Sequence, residues 1–190
     1  MKTKFRAGDV VVDMPLFHSG LGGSIPTSAL QFHVERIHRD VFMPLNEEWH
    51  SRLPGCANAF EGIFYGALYD HHYWAVAWWS KPVARKLNGR GWFELRRFAI
   101  HDDAPPNTAS RMLGIMRRDI SRCMPNVQRL ISYQDTAVHD GTIYKAAGWQ
   151  RTVTSNGYSK HGWASRDAGR VNQSTADKVR WEYPMKPNAN

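Results

Sequence analysis

The chain has 190 residues, 42% of them hydrophobic, and a net charge of +8 from 25 basic and 17 acidic side chains. That composition, with eight tryptophans, supplies one full core, so a single domain is expected and an intrinsically disordered chain is excluded. No run of about 18 apolar residues occurs, which excludes a membrane-spanning helix, and MKTKFRAGDV lacks the apolar core of a secretory signal. Cys56 and Cys123 are too few for a disulfide framework or a four-cysteine zinc site, so a reducing cytoplasm is the simplest compartment. The positive charge points to a polyanionic partner, either nucleic acid or a phosphorylated cofactor, with plain solubility as the alternative.

Residues 1–31 place Pro15, Gly20, Gly22, Gly23 and Pro26 around a short apolar Val10-Val11-Val12. They read as an irregular arm with at most one edge strand. Phe32-His33-Val34-Glu35-Arg36-Ile37 alternates apolar and polar, the pattern of a half-buried strand. Pro44, Pro54 and Gly55 punctuate residues 38–60 and leave room for a short helix over Glu47–Arg52, capped by Asn46. Three strand signals follow, at Phe60–Tyr69, Tyr73–Trp79 and Trp92–Ile100. Asp70-His71-His72 supplies a hairpin turn, and Asn88-Gly89-Arg90-Gly91 supplies a second turn, so an antiparallel meander is the economical arrangement.

A loop over His101–Asn107 leads into the clearest helix of the chain, Thr108–Cys123. Ala109, Met112, Leu113, Met116, Ile120 and Cys123 share one face, Arg111, Arg117, Arg118 and Arg122 lie mostly elsewhere, and Pro125 ends it. A strand at Arg129–Tyr133 comes next. Two strands joined by a crossover helix in one sheet run parallel, so Trp92–Ile100 and Arg129–Tyr133 form a parallel pair. A short helical signal closes at Tyr144-Lys145-Ala146-Ala147-Gly148-Trp149. Gln150–Tyr158 reads as a strand, residues 159–176 are polar, and Lys178–Tyr183 is a last strand before Pro184. The sum is an α/β (α+β) domain with a mixed, mostly antiparallel sheet flanked by helices.

Chemistry is expected where two features converge. The helix start at Ala104–Ser110 offers free N–H groups and a helix dipole, a weak signal for an anion. The C-terminal ends of the parallel strands gather His101, Asp102, Asn107, Asp135 and Tyr144 around one crevice, with Arg97 able to point there. A carboxylate such as Asp135 can take a proton or orient an amine, and a tyrosine such as Tyr144 can give a proton to a leaving group. Each has a plainer role beside it. Asp135 can cap the helix after it, Tyr144 can be core, and Arg97 can pair with Glu94 or Asp102. No metal site is expected: His71-His72 lie in a turn, and His101-Asp102-Asp103 lack a third ligand element. Neither cysteine has a base at motif spacing.

The order of these elements resembles the core of the GCN5-related N-acetyltransferase (GNAT) superfamily. Tyr144-Lys145-Ala146-Ala147-Gly148-Trp149 fits its Tyr/Phe-x-x-x-Gly-aromatic pattern. In that superfamily the two central strands splay around acyl-CoA, with the pyrophosphate at the following helix start. The usual loop there, Gln or Arg, two residues, Gly, one residue, Gly or Ala, is replaced here by Ala104-Pro105-Pro106-Asn107-Thr108-Ala109, of which only the last fits. The resemblance implies that Phe98, Ile100, Asn107, Thr108, Ala109 and Ser110 line the cleft for acetyl-CoA or a related acyl donor.

A narrower resemblance is to the Mom-like family of phage and prophage proteins, a divergent branch of the same fold. It rests on Trp49-His50-Ser51-Arg52-Leu53-Pro54, Glu94-Leu95-Arg96-Arg97-Phe98, Asn107-Thr108-Ala109-Ser110, and Ile131-Ser132-Tyr133-Gln134-Asp135-Thr136 followed by His139, Gly141 and Tyr144. Together these cover roughly residues 46–152. The family pattern tends to have an aromatic in place of Ser51 and an asparagine in place of Arg96.

Mom-like proteins add a carbamoylmethyl (acetamido) group to the N6 amine of adenine in DNA, which shields phage DNA from restriction. By that resemblance His50, Arg97, Asp135 and Tyr144 are catalytic, with Asp135 or His50 as base, Tyr144 as acid and Arg97 as electrostatic clamp. Ser51, Arg52, Tyr133 and His139 fall to the substrate side. Lys160, Arg166 and Arg170, in a basic tail interleaved with tryptophan, would contact phosphate, unless that tail is simply solvated. The implied partner is double-stranded DNA, locally opened or with its base flipped, in a host cytoplasm and away from any membrane. The oligomeric state stays open, a homodimer included. An ordinary acyl-CoA transferase acting on a small amine or protein, and a non-catalytic nucleic-acid-binding protein, are the competing readings.

Overall fold

A computed structural model of the chain describes residues 24–50, 55, 61–84, 86–87, 89–155 and 178–185. In chain order these form β1 (His33–Ile37), α1 (Arg39–Trp49), β2 (Ile63–Tyr69), β3 (His72–Ser80), β4 (Trp92–Ile100), α2 (Thr108–Cys123), β5 (Arg129–Asp135), α3 (Thr142–Ala146), β6 (Gln150–Ser155) and β7 (Lys178–Pro184). One seven-stranded sheet runs β1-β2-β3-β4-β5-β7-β6. The expected meander is β2-β3-β4, and its first turn places Asp70 and His71 at φ of 48° and 64°. Positive φ at both central residues is what a tight two-residue hairpin needs, supplied here without glycine. β4 and β5 are the parallel pair; the other strand neighbours are antiparallel. Among the described residues no helix is long and apolar enough to cross a membrane.

Two cores sit on opposite faces of the sheet. On one, α2 buries Met112, Leu113, Met116 and Ile120 against Tyr65, Trp79, Phe93, Leu95 and Leu130. Those four helix residues are almost inaccessible, each contributing roughly 1.5–3 kcal/mol, so the helical periodicity is spent on one seam. On the other face, α1 buries Phe42 and Leu45 against Phe64, Tyr73, Val76 and Trp78.

Several boundaries differ from expectation. The short helix at Glu47–Arg52 is instead α1, Arg39–Trp49, capped by His38, with Asn46 buried inside it. Pro44 does not break this helix, because Phe42 and Leu45 on either side of it anchor both halves to the sheet. Ser51 and Arg52 lie outside the described residues, as do residues 1–23 of the arm, the strand start at Phe60, the turn residue Asn88 and residues 156–177. The rest of the arm holds a single 3-10 turn, Ala29–Gln31, closed by a capping box between Ser28 and Gln31. β5 runs two residues further than expected, so Gln134 and Asp135 belong to the strand.

Candidate active site

The parallel pairing of β4 and β5 is short. It runs from Trp92↔Arg129 to Leu95↔Ser132 and stops, although β4 continues to Ile100 and β5 to Asp135. Beyond that point the strands fork. The cause lies on the other side of β4, where Trp78 pairs with Arg97 and Trp79 with Leu95, leaving Arg96 as the extra residue of a bulge. A bulge bends its strand and re-aims its side chains. Leu95 faces the α2 core and Ala99 the α1 core, so strand alternation puts Arg97 on the α1 side. Arg96 is there too, with its guanidinium 5.2 Å from the centre of the Trp78 ring and 3.4 Å from the Glu94 carboxylate.

Three basic side chains converge on the α1 side of the fork. His50 caps the C-terminus of α1, and Arg97 and His139 both lie close enough for their charge to act on it. Burial, then the Arg97 charge, then His139 push the His50 pKa down to about 4. The imidazole is therefore neutral at pH 7 and can accept a proton. Arg97 donates from Nη1 to the Arg96 carbonyl at 2.7 Å, while its Nε is buried with no hydrogen-bond partner among the described residues. A half-buried guanidinium with an unsatisfied Nε is a charge held in wait for an acceptor. Glu94 is buried on this face, accepts a bond from the Val83 N–H at 3.1 Å, and has its carboxyl pKa raised by burial against the pull of Arg96 and Arg97.

On the α2 side of the fork, the apex is held by an uncharged pair. Tyr144 is 7% exposed, and its hydroxyl shares a 2.8 Å hydrogen bond with Ser132 Oγ at the apex. Its ring stacks on Trp181 with centroids 5.4 Å apart, and burial raises its pKa, so it stays protonated. Trp181 Nε1 donates to Gln134 Oε1 at 2.6 Å, and Gln134 Nε2 donates to the carbonyl of His139. This chain ties the loop after β5 to the core and sets where His139 stands. Asp135 shares the Tyr133 face of β5 by alternation and accepts from the Ala137 N–H at 2.9 Å, which makes it the cap of its own turn.

The fork is also where a donor fits. Its β4 edge, beyond Leu95, has no ladder partner on the β5 side. Phe98 and Ile100 pack against the α2 core beside it. At the head of α2, Asn107 adopts a left-handed conformation (φ 68°) and makes no side-chain cap, so the first N–H groups of the helix are not covered by it. Thr108 Oγ1 and Ser110 Oγ are turned back to the carbonyls of Pro105 and Asn107, at 2.6 and 3.2 Å. Backbone, not these hydroxyls, is what the helix start offers an anion. Arg111, in the next turn, also has a buried Nε with no hydrogen-bond partner among the described residues.

The expected site residues therefore divide. His50, Arg97 and His139 come together on the α1 side, with Tyr133 and Asp135 on the same face of β5. Tyr144 lies across the apex, and Phe98, Ile100, Asn107, Thr108, Ala109 and Ser110 border the fork or the helix start. His101 is a packing residue: its ring meets those of Trp49 and Trp74 edge-on, at 5.5 and 5.2 Å. Ser51, Arg52, Lys160, Arg166 and Arg170 lie outside the described residues. Glu94, read as a possible partner of Arg97, and Gln134, read as part of the polar rim after Tyr133, were not among the expected site residues. Glu94 had a signal, as a carboxylate in an otherwise apolar strand two residues before a double arginine. Gln134 had none, because its role depends on Trp181, a residue 47 positions away.

The fold has many solved counterparts. An acetyltransferase of Bacillus subtilis in complex with CoA superposes with a TM-score of 0.60 over 82% of this chain and 99% of that one, at 10% identity. The ribosomal-protein-S18-alanine N-acetyltransferase of Escherichia coli gives 0.58 over 84% and 99%, at 12% identity. At such identities the likeness concerns fold, and it is that of the GNAT acetyltransferases. In sequence, the chain is 26% identical over 101 residues to methylcarbamoylase mom of Escherichia phage Mu, a match that spans 44% of this chain and 42% of that protein. The profile of the Mom protein family matches residues 31–189, nearly everything after the arm. The chain belongs to the Mom protein family, built on a GNAT-type fold.

Proposed function

We propose that this protein is a group transferase that modifies DNA, placing an acetamido (carbamoylmethyl) group on the N6 amine of adenine. The observation that carries this reading is the approach at the fork of a half-buried, neutral histidine, His50, to the incompletely satisfied Arg97. The adenine amine is a poor nucleophile, because its lone pair is delocalised into the ring. It needs a base that is unprotonated at neutral pH and a cation where negative charge develops. His50 takes the proton as the N6 nitrogen forms its bond to the donor carbon. Arg97 holds the charge that builds on the donor, and the Tyr144 hydroxyl, kept protonated by burial, can return a proton to the leaving group.

An acyl-CoA-type donor fits the uncovered helix start, the open β4 edge and Arg111, but its activated carbon is the thioester carbonyl. Transfer through a carbonyl carbon would leave an amide. A carbamoylmethyl adduct requires a donor X–CH2–C(O)NH2 that brings its own amide nitrogen: N6 bonds to the methylene carbon, X departs from that carbon with the electron pair, and the N6 proton goes to the base. In a cell modified this way, phage or host DNA becomes resistant to restriction. Plasmid DNA co-expressed with the protein should therefore resist restriction endonucleases that recognise adenine-containing sites. Complete cleavage, together with acetyl-CoA binding and acetylation of small amines, would favour the ordinary acetyltransferase reading. DNA binding with a steep salt slope and no altered base would favour a binding protein.

A further inference from the structure

Large apolar side chains that stay exposed are few, and two of the five among the described residues stand at the tip of β5: Tyr133, 37% exposed, and Val138, 40% exposed. Tyr133 is the first β5 residue past the last pair with β4, and its neighbours Ser132 and Gln134 are 2% and 6% exposed. Its hydroxyl is engaged by Arg180, its register partner on β7. Arg180 is itself fixed, donating from Nε to Glu182 at 2.7 Å and lying 5.4 Å from the Trp92 ring centre. With the hydroxyl held, the aromatic ring is what Tyr133 offers to solvent. Val138 sits in the turn closed by the bonds of its own N–H and the His139 N–H to the Asp135 carbonyl, at 3.3 and 3.1 Å. The Gln134 bond to the His139 carbonyl ties this turn to the core.

An enzyme that works on a base in duplex DNA faces two costs. The extruded base loses its stacking, and the gap it leaves is unfilled. A fixed exposed ring answers the first, and an apolar wedge on a braced turn answers the second. We infer that Tyr133 is the stacking platform for the extruded acceptor base and that Val138 is the plug that enters the duplex in its place. The inference rests on the DNA reading above. It sets the acceptor ring on the same face of the fork as His50 and Arg97, opposite the side where Tyr144 is buried.

The test compares binding to two oligonucleotide duplexes. One is fully paired with a central adenine, and the other carries an abasic site opposite that adenine, so that the base is already unpaired and a gap already stands across from it. Tyr133→Ala should weaken binding to both by about ten-fold or more, and Tyr133→Phe, which keeps the ring, should restore it to within a few-fold. Val138→Ser should weaken binding to the paired duplex several-fold and leave the abasic duplex nearly unaffected. Both side chains are exposed, so melting temperatures should stay near that of the unaltered protein. Tyr133→Ala binding both duplexes as tightly as the unaltered protein would overturn the platform. An equal loss on both duplexes for Val138→Ser would overturn the plug. If the unaltered protein binds neither duplex, the DNA reading itself falls.

Discussion

At the scale of single residues, the reading turns on His50. Its folded pKa of about 4 lies below the ordinary 6.5, so the folded chain prefers the neutral ring. Between those values the unfolded chain binds more protons. His50 therefore contributes stability that is complete above about pH 6.5 and is lost as the pH falls towards 4. We predict that the melting temperature declines across that window and that His50→Gln flattens the decline. Burial is the larger cause and Arg97 the next. Arg97→Met should thus raise the His50 midpoint without returning it to 6.5, as read from imidazole NMR shifts against pH. The same variant should abolish modification with little change in fold. Tyr144→Phe removes only the hydroxyl bonded to Ser132, which costs about 1 kcal/mol in a denaturant melt. If Tyr144 serves as the acid, its loss of activity should far exceed what that small destabilisation explains.

At the scale of elements, the site is made by a strand that stops pairing and a turn that is braced. The bulge at Arg96 was not legible in the sequence, since Arg96-Arg97 reads as ordinary alternation until the register with Trp78 and Trp79 is known. The brace was equally hidden. Gln134 looked like a polar rim residue because β5 seemed to end at Tyr133, and only its 6% exposure and its bonds to Trp181 and His139 show a structural role. Gly141 marks how tightly this brace is packed. Its φ is +73°, and a Cβ there would lie 2.5 Å from Trp181 Cζ2 and 2.6 Å from Gln134 Oε1. Gly89 has a similar φ of +81° but open space around it. Gly141→Ala should therefore cost about 2 kcal/mol and more than Gly89→Ala, for which backbone strain of about 1 kcal/mol is the whole effect. Equal costs in paired denaturant melts would mean that the brace is slack. Gln134→Leu should quicken amide exchange over residues 136–140 while leaving α2 protected.

At the scale of the molecule, the two ends of the sheet are tied to α2 by different means. Tyr144, Trp149 and Trp181 join the β5-β7 end through rings. At the β1-β2 end a carboxylate adds to the apolar packing, Asp119 of α2, which accepts from Arg36 Nε at 2.7 Å and Tyr65 OH at 2.8 Å and lies 3.6 Å from Arg122. Burial pushes the Asp119 pKa up, but the bonds from Arg36 and Tyr65 outweigh it and hold it below the ordinary 3.8. Its contribution is complete above that value and is lost only at lower pH, below the His50 window. Asp119→Asn should cost about 2 kcal/mol at pH 7 and remove the steepest part of acid unfolding.

Much of this plan was open to a reader of the sequence. The apolar periodicity of α2, the alternation in β1 and β7, and the crossover that makes β4 and β5 parallel are local patterns with one physical solution. So was the choice of His50, Arg97 and Tyr144 as candidates, through short motifs in a fixed order. What was not open is which face of the sheet each side chain takes. That depends on one bulge, and it places His50 and Arg97 on one side of the fork and Tyr144 on the other.

The most direct test of the central claim is mass spectrometry of nucleosides from DNA co-expressed with the unaltered chain and with Arg97→Met. The account predicts a deoxyadenosine bearing one carbamoylmethyl group on N6 in place of one hydrogen for the unaltered chain, and none for the variant. Four unmodified nucleosides in a host that supplies the donor, or the same adduct at full level with Arg97→Met, would contradict it.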